Sequence, residues 1–137
     1  MTTRILIVED EAITALDLKS ELISSGHEVI GVTSDGIEAV RAAAELKPDI
    51  VLMDIHLSGE IDGIAAASAI RGEANIPVIF LTAHVDDTIL ERAMKASPFG
   101  YIPKPFQMPA IEAAIKVALY RHGKEQESRD LVETLQE

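Results

Sequence analysis

The sequence predicts an α/β protein built on a five-stranded parallel sheet, doubly wound, in the order 2-1-3-4-5 with helices on both faces. Three observations carry this. Short apolar runs rich in β-branched residues recur at Ile5–Val8, Val29–Val32, Ile50–Met53 and Val78–Leu81, with a weaker one at Gly100–Ile102. Most are continuous rather than alternating, which is how strands covered on both faces look. Stretches of helical spacing separate them, and the alternation repeats at roughly 25-residue intervals, the length of a βαβ crossover unit. Right-handed crossovers then place helices on both sides of one sheet.

Each element has its own signals. Met1–Arg4 leads directly into the first strand. The first helix is expected to bury a stripe of Ile13, Leu16, Ser20 and Ile23, and to stop at Gly26, where a left-handed residue is needed. After the second strand, Asp35 followed by Glu38 fits a capping box, and Ile37, Val40 and Ala44 form the next stripe. Pro48 and Pro77 stand at the entrances of the third and fourth strands, where a missing N–H does little harm. The third helix is expected to carry Ile61, Ile64, Ala65 and Ala69, with Gly72 after its end. Asp86 suits a cap for the fourth helix, whose stripe is Ile89, Leu90, Ala93 and Met94. Pro109 suits the first turn of the fifth, whose stripe is Ile111, Ala114, Ile115, Ala118 and Leu119. His27 and His122 are expected on the surface. Beyond Tyr120 the chain turns polar. Residues 1–122 therefore read as one domain, and 123–137 as a polar tail or an extension of the last helix past Gly123.

Composition narrows the function. With 137 residues, 47% of them hydrophobic, the chain has the size and apolar content of one domain. There is no cysteine, so disulfides, thiolate metal sites and thiol redox chemistry are excluded. Acidic residues outnumber basic ones by 23 to 12, for a net charge of -11. Such a surface repels phosphate backbones and anionic membranes, so neither nucleic acid nor a membrane is an expected direct partner. No apolar run approaches a membrane span, and the N-terminus lacks a signal peptide's apolar region, so a cytoplasmic protein is expected.

In a doubly wound sheet the ligand crevice lies outside the carboxyl ends of the strands. Glu9 and Asp10 follow the first strand, Asp54 ends the third, Thr82 the fourth, and Lys104 follows the fifth. Three carboxylates on one edge repel one another unless a cation joins them, and oxygen-only ligands favour a hard cation, Mg²⁺ first, with Mn²⁺ admitted. A lysine at the same edge is a point charge suited to a phosphoryl oxygen, and a threonine hydroxyl can donate to another. Phosphoryl transfer needs mainly positioning and charge neutralisation, so a carboxylate nucleophile, a metal, a cation and a hydroxyl suffice.

These residues carry a resemblance. The chain resembles the flavodoxin-like receiver domain of two-component response regulators over about residues 4–122, through Ile5-Leu6-Ile7-Val8-Glu9-Asp10-Glu11, Leu52-Met53-Asp54, Asp62-Gly63, Ile76–Ala83 and Gly100–Phe106. The resemblance implies that Asp54 accepts phosphate from a phosphohistidine on a sensor histidine kinase. It implies that Asp10, Asp54 and the backbone carbonyl of His56 ligate Mg²⁺, with Glu9 acting through a water. Lys104 would pair with the phosphoryl group, Thr82 would move toward it, and Tyr101 would change rotamer in step. The Lys104–Pro105 bond is cis in the family, and the rim positions His56 and His84 tune phosphate loss. The switched surface would be Asp86–Ala96, Phe99–Ile102 and Pro109–Tyr120, read by a downstream protein that the sequence does not name. The implied activity is that of a phosphoacceptor with self-catalysed phosphotransfer and autodephosphorylation, not of an enzyme acting on a separate substrate. Departures from the pattern are Glu9 in place of Asp, Pro103 before Lys104, and a longer loop at Gly59–Gly63.

Other functions fit less well. An aspartyl-phosphate phosphatase of the haloacid-dehalogenase type wants Asp two residues past its nucleophile, where His56 stands. A flavin module wants a Ser/Thr/Gly-rich loop after the first strand, where Glu9-Asp10-Glu11 would repel a phosphate. His56 and His84 with Asp10 and Asp54 also suggest a transition-metal trap, although surface histidines are the simpler account. A receiver-like module that ignores phosphate stays open. So do a stand-alone receiver, a fragment of a larger regulator or hybrid kinase, and a homodimer through the last helix and tail.

Overall fold

The structure, a computed structural model, describes residues 2–83 and 86–136. Among them strand and helix alternate as β1 (Arg4–Val8), α1 (Ala12–Ser24), β2 (Glu28–Thr33), α2 (Gly36–Leu46), β3 (Ile50–Asp54), α3 (Gly63–Glu73), β4 (Val78–Thr82), α4 (Asp87–Lys95), β5 (Gly100–Pro103) and α5 (Met108–Gln136). The strands form one sheet in the order β2-β1-β3-β4-β5, every neighbouring pair parallel. This is the expected doubly wound architecture.

The period-2 alternation of the strands divides the core in two. Leu6, Val8, Val51, Met53, Val78 and Phe80 face α2, α3 and α4. Ile5, Ile7, Ile50, Leu52, Ile79 and Leu81 face α1 and α5. All twelve are fully buried, and each such side chain contributes about 1.5–3 kcal/mol on leaving water. The sheet interior is therefore the stiffest part of the molecule, and side chains at its carboxyl edge inherit that stiffness.

The helices differ from expectation in which faces they bury. In α1 the buried residues are Ala15, Leu18 and Leu22, whereas Ile13 and Leu16 are 85% and 68% exposed and Ile23 is also exposed. Both stripes have helical spacing, and the one with the small Ala15 faces the sheet. In α2 the core-facing pair is Ala39 and Ala43, with Val40 half-buried and Ile37 exposed. Ile61 precedes α3, and Gly72 lies inside its last turn rather than after it; Asn75, at φ 53°, is the left-handed residue there. The stripe expected for α5 does face the core.

Caps set the helix starts. The carboxylates of Asp35, Asp62 and Asp86 accept from Ile37, Ala65 and Ile89 N–H groups at 3.1, 2.9 and 2.9 Å. Glu38 pairs with Arg41 at 3.3 Å rather than completing a reciprocal box. Asp62 also pairs with Arg92 of α4 at 3.0 Å. Next to it, Gly63 N–H donates to Ile55 carbonyl at 3.0 Å, and a Cβ at Gly63 would overlap the Asp54 carbonyl oxygen. Only glycine lets α3 begin flush against the end of β3.

α5 runs through Gly123 to Gln136 as one 29-residue helix. Its continuation is tied to the loop before β4: Asn75 Nδ2 donates to Gln126 Oε1 at 2.7 Å, and His122 Nε2 lies 2.9 Å from the Asn75 carbonyl. His27 Nε2 meets Glu112 Oε1 at 2.6 Å. Both histidines are thus half-buried and paired, contrary to the surface placement expected for them. Among the described residues no helix is long and apolar enough to cross a membrane.

Gly63→Ala should lower the urea-unfolding stability by an amount on the order of 3 kcal/mol, because a backbone oxygen has nowhere to retreat. An unchanged midpoint would mean that the start of α3 shifts freely.

Candidate functional site

The carboxyl edge of the sheet gathers the candidate residues because parallel strands all end on the same side. Glu9 follows β1 and is pinned by its N–H to the Thr33 carbonyl at 3.0 Å. Asp54 is the last residue of β3, and Ile55 N–H continues the ladder to Leu81 carbonyl at 3.2 Å. Thr82 ends β4, and its carbonyl accepts from Lys104 N–H at 2.7 Å, which aims the lysine back over the edge. Glu9, Asp54 and Thr82 are 2%, 4% and 1% exposed, while Asp10 is exposed.

Lys104 Nζ lies 2.5 Å from Glu9 Oε1 and 3.3 Å from Asp54 Oδ2, so one ammonium bridges two buried carboxylates. The other Asp54 oxygen, Oδ1, accepts from His56 N–H at 3.1 Å. Asp10 Oδ2 accepts from Ser58 N–H at 3.3 Å and Ser58 Oγ at 3.1 Å. Lys104 Nζ also stands 5.8 Å from the Phe106 ring centroid. Glu9, Asp10 and Asp54 each offer an oxygen within 4.8 Å of the others.

Electrostatics follow from crowding. Burial first, then the hydrogen bond and charge of Asp54, push the Glu9 carboxyl from 4.5 up to about 7, against the pull of Lys104. Burial on its own would lower the Lys104 ammonium, but Glu9 and Asp54 reverse that and raise it. Lys104 pairs with two of the three carboxylates, and among the described residues the buried Glu9 Oε2 and Thr82 Oγ1 have no hydrogen-bond partner. An orphaned buried oxygen beside two further carboxylates fits a hard divalent cation. Glu9, Asp10 and Asp54 would hold it.

The structure brings Glu9, Asp10, Asp54, Thr82 and Lys104 to one edge, with the His56 backbone beside them. The His56 ring is not part of the group that could hold a metal among the described residues. Tyr101, on β5, is 41% exposed. Lys104–Pro105 is cis. His84 lies outside the described residues. Three features escaped the sequence: the Ser58 clamp on Asp10, the Asp62–Arg92 pair, and Glu9 as the nearer partner of Lys104. A serine four residues past Asp54 was the only available signal for the first, and long-range pairs leave none.

Comparison with known proteins points one way. Residues 5–116 match the family model described as the response regulator receiver domain. The transcriptional regulatory protein PdtaR of Mycobacterium tuberculosis is 41% identical over 118 residues, 86% of this chain and 57% of that protein, so the chain spans little more than half of that relative. The signal receiver domain of a modulated diguanylate cyclase from Desulfovibrio desulfuricans G20 superposes with a TM-score of 0.88 at 38% identity, covering 91% of this chain and 99% of that one. The receiver domain of the Pseudomonas aeruginosa PAO1 sensor histidine kinase PA1611, with a magnesium ion coordinated in its active-site cleft, gives 0.78 at 31%, covering 87% and 98%.

The raised Glu9 has a signed consequence in metal-free protein. A carboxyl whose folded value exceeds its unfolded one stabilises the fold below about 4.5, and that stability is lost as pH rises through about 7. In EDTA, Glu9→Gln should flatten the fall between those limits and be the more stable form at pH 8, by about 2 kcal/mol. Parallel pH profiles for the two proteins in urea unfolding would contradict this.

Proposed function

This chain belongs to the response regulator receiver domain family, and on that premise we propose that it is a phosphorylation switch with Asp54 as acceptor. The observation that carries this is the position of Asp54: nearly buried at the end of β3, bridged to Lys104, and within reach of Glu9 and Asp10. An Asp54 oxygen attacks phosphorus of a phosphohistidine, the P–N bond breaks as the P–O bond forms, and the imidazole leaves with the electron pair. Mg²⁺, held by Glu9, Asp10 and Asp54, would neutralise charge on the transferring group. Lys104 turns from the Asp54 carboxylate to a phosphoryl oxygen. The Thr82 hydroxyl, which has no hydrogen-bond partner among the described residues, donates to another. Hydrolysis reverses the mark: water attacks phosphorus, inorganic phosphate departs, and the Asp54 carboxylate returns. His56 and His84 are the rim positions that set its rate.

The donor in this proposal is a sensor histidine kinase, and the output is a change of protein contacts through α4, β5 and α5. Met94, Tyr101 and Val117 are exposed on those elements and within reach of a partner. The moving parts are a phosphoryl group gained on the edge and two side chains that reorganise toward it, which bias a two-state surface. The net charge of -11 supports protein rather than nucleic acid as direct partner.

Incubation with Mg²⁺ and acetyl phosphate, followed by intact mass measurement, should show one phosphoryl adduct. It should vanish in Asp54→Asn and without Mg²⁺. No adduct, together with no beryllofluoride-induced resonance shifts near Thr82 and Lys104, would leave a binding module that ignores phosphate.

A further inference from the structure

A polar cavity of about 270 Å³ lies at the amino end of β5, the opposite end of the sheet from Asp54. Arg71 of α3, Ser97, Pro98 and Phe99 of the loop before β5, and Arg121 and Glu125 of α5 line it. The Arg71 guanidinium lies 4.4 Å from the Phe99 ring centroid, and that of Arg121 5.5 Å from the same ring. In a chain of net charge -11, two guanidiniums on one small cavity are a local reversal of sign.

Arg71 is incompletely satisfied. Its side chain is 14% exposed, and Nε and Nη1 are buried with no hydrogen-bond partner among the described residues. Nη2 faces Glu125 Oε1 at 3.8 Å, too long for a hydrogen bond. A buried guanidinium without acceptors is expensive, and a missing ion or water is the usual reason for one. Burial pulls Arg71 below its ordinary value and the charge of Arg129 adds to this, while Glu125 opposes both. Glu125 is half exposed, and an outward rotamer would open Arg71 Nη2 to the cavity.

We propose that this cavity is an oxyanion site, in which a small phosphate-class anion displaces the Glu125 carboxylate and is held by Arg71, with Arg121 at the rim. Planar guanidinium forks suit tetrahedral oxyanions, giving paired N–H···O bonds where the present carboxylate gives none. Phe99 is buried beneath the guanidiniums and offers no face to a base, so the ligand is a small anion rather than a nucleotide. The site is independent of Asp54 and of the receiver chemistry proposed there.

The test is an NMR titration of inorganic phosphate, then sulfate, into the full chain carrying Asp54→Asn in EDTA, which silences the acceptor edge. Chloride at matched ionic strength is the control. Saturable shifts of the Ser97 and Phe99 amides and of Arg71 Nε–H are expected with both oxyanions. Arg121→Gln should weaken binding about fivefold, and Glu125→Gln should tighten it by a similar factor. Because both positions are on the surface of α5, the fold survives either change, and unchanged dispersion of core resonances verifies it. Shifts that chloride reproduces, or an affinity indifferent to Glu125→Gln, would reduce Arg71 to a structural stack on Phe99 and overturn the proposal.

Discussion

One ammonium between two buried carboxylates organises the carboxyl edge of this sheet. Glu9 and Asp54 are held by stiff strands and cannot separate, and two charges a few ångströms apart in a poorly solvated site repel by several kcal/mol. Lys104 offsets that repulsion, and it reaches them because its own N–H is bonded to Thr82 carbonyl. Asp54, Thr82 and Lys104 are therefore mechanically one unit. Its resting state is lopsided, since the lysine sits closer to Glu9 than to Asp54. Any group arriving on Asp54 would compete with Glu9 for the same ammonium.

From that unit a short path leads outward. The Asp54 carbonyl abuts Gly63, Asp62 beside it caps α3, and the same carboxylate pairs with Arg92 of α4. Burial alone would raise the Asp62 carboxyl, but Ala65 N–H and Arg92 hold it below the ordinary range. α4 itself is shallowly seated: within the helix only Ala93 is fully buried. A half-exposed pair such as Asp62–Arg92 is worth at most about 1 kcal/mol. Of the helices on this face, α4 is therefore the one most easily displaced.

How much of this was legible in the sequence depends on the kind of constraint. Strands covered on both faces must be apolar throughout, so Ile50–Met53 and Val78–Leu81 announce themselves, and parallel order then puts Asp10, Asp54, Thr82 and Lys104 on one edge. Helix faces were less legible. In α1 two apolar stripes coexist, Ile13, Leu16 and Ile23 exposed and Ala15, Leu18 and Leu22 buried, and their side chains do not tell them apart by size. Closeness to the sheet favours the stripe containing Ala15, a tertiary criterion that periodicity does not contain. Pairs distant in sequence, such as Asp62–Arg92 and Lys104–Glu9, leave no local trace. The sequence left open whether the last helix passes Gly123, and it does. Glycine costs about 1 kcal/mol in a helix, and the Asn75–Gln126 and His122 bonds on either side offset it.

That uninterrupted helix would magnify any tilt at its base. From Gly123 to Gln136 it extends about 20 Å beyond the part of α5 that packs on the sheet, at 1.5 Å per residue. A rigid rod seated at one end is a lever arm: a tilt of about 10° at its base carries its far end through roughly 4 Å, given that rise. The Asn75–Gln126 bond lies near the base of that arm, and Leu131, Val132 and Leu135, all exposed along it, would travel farthest.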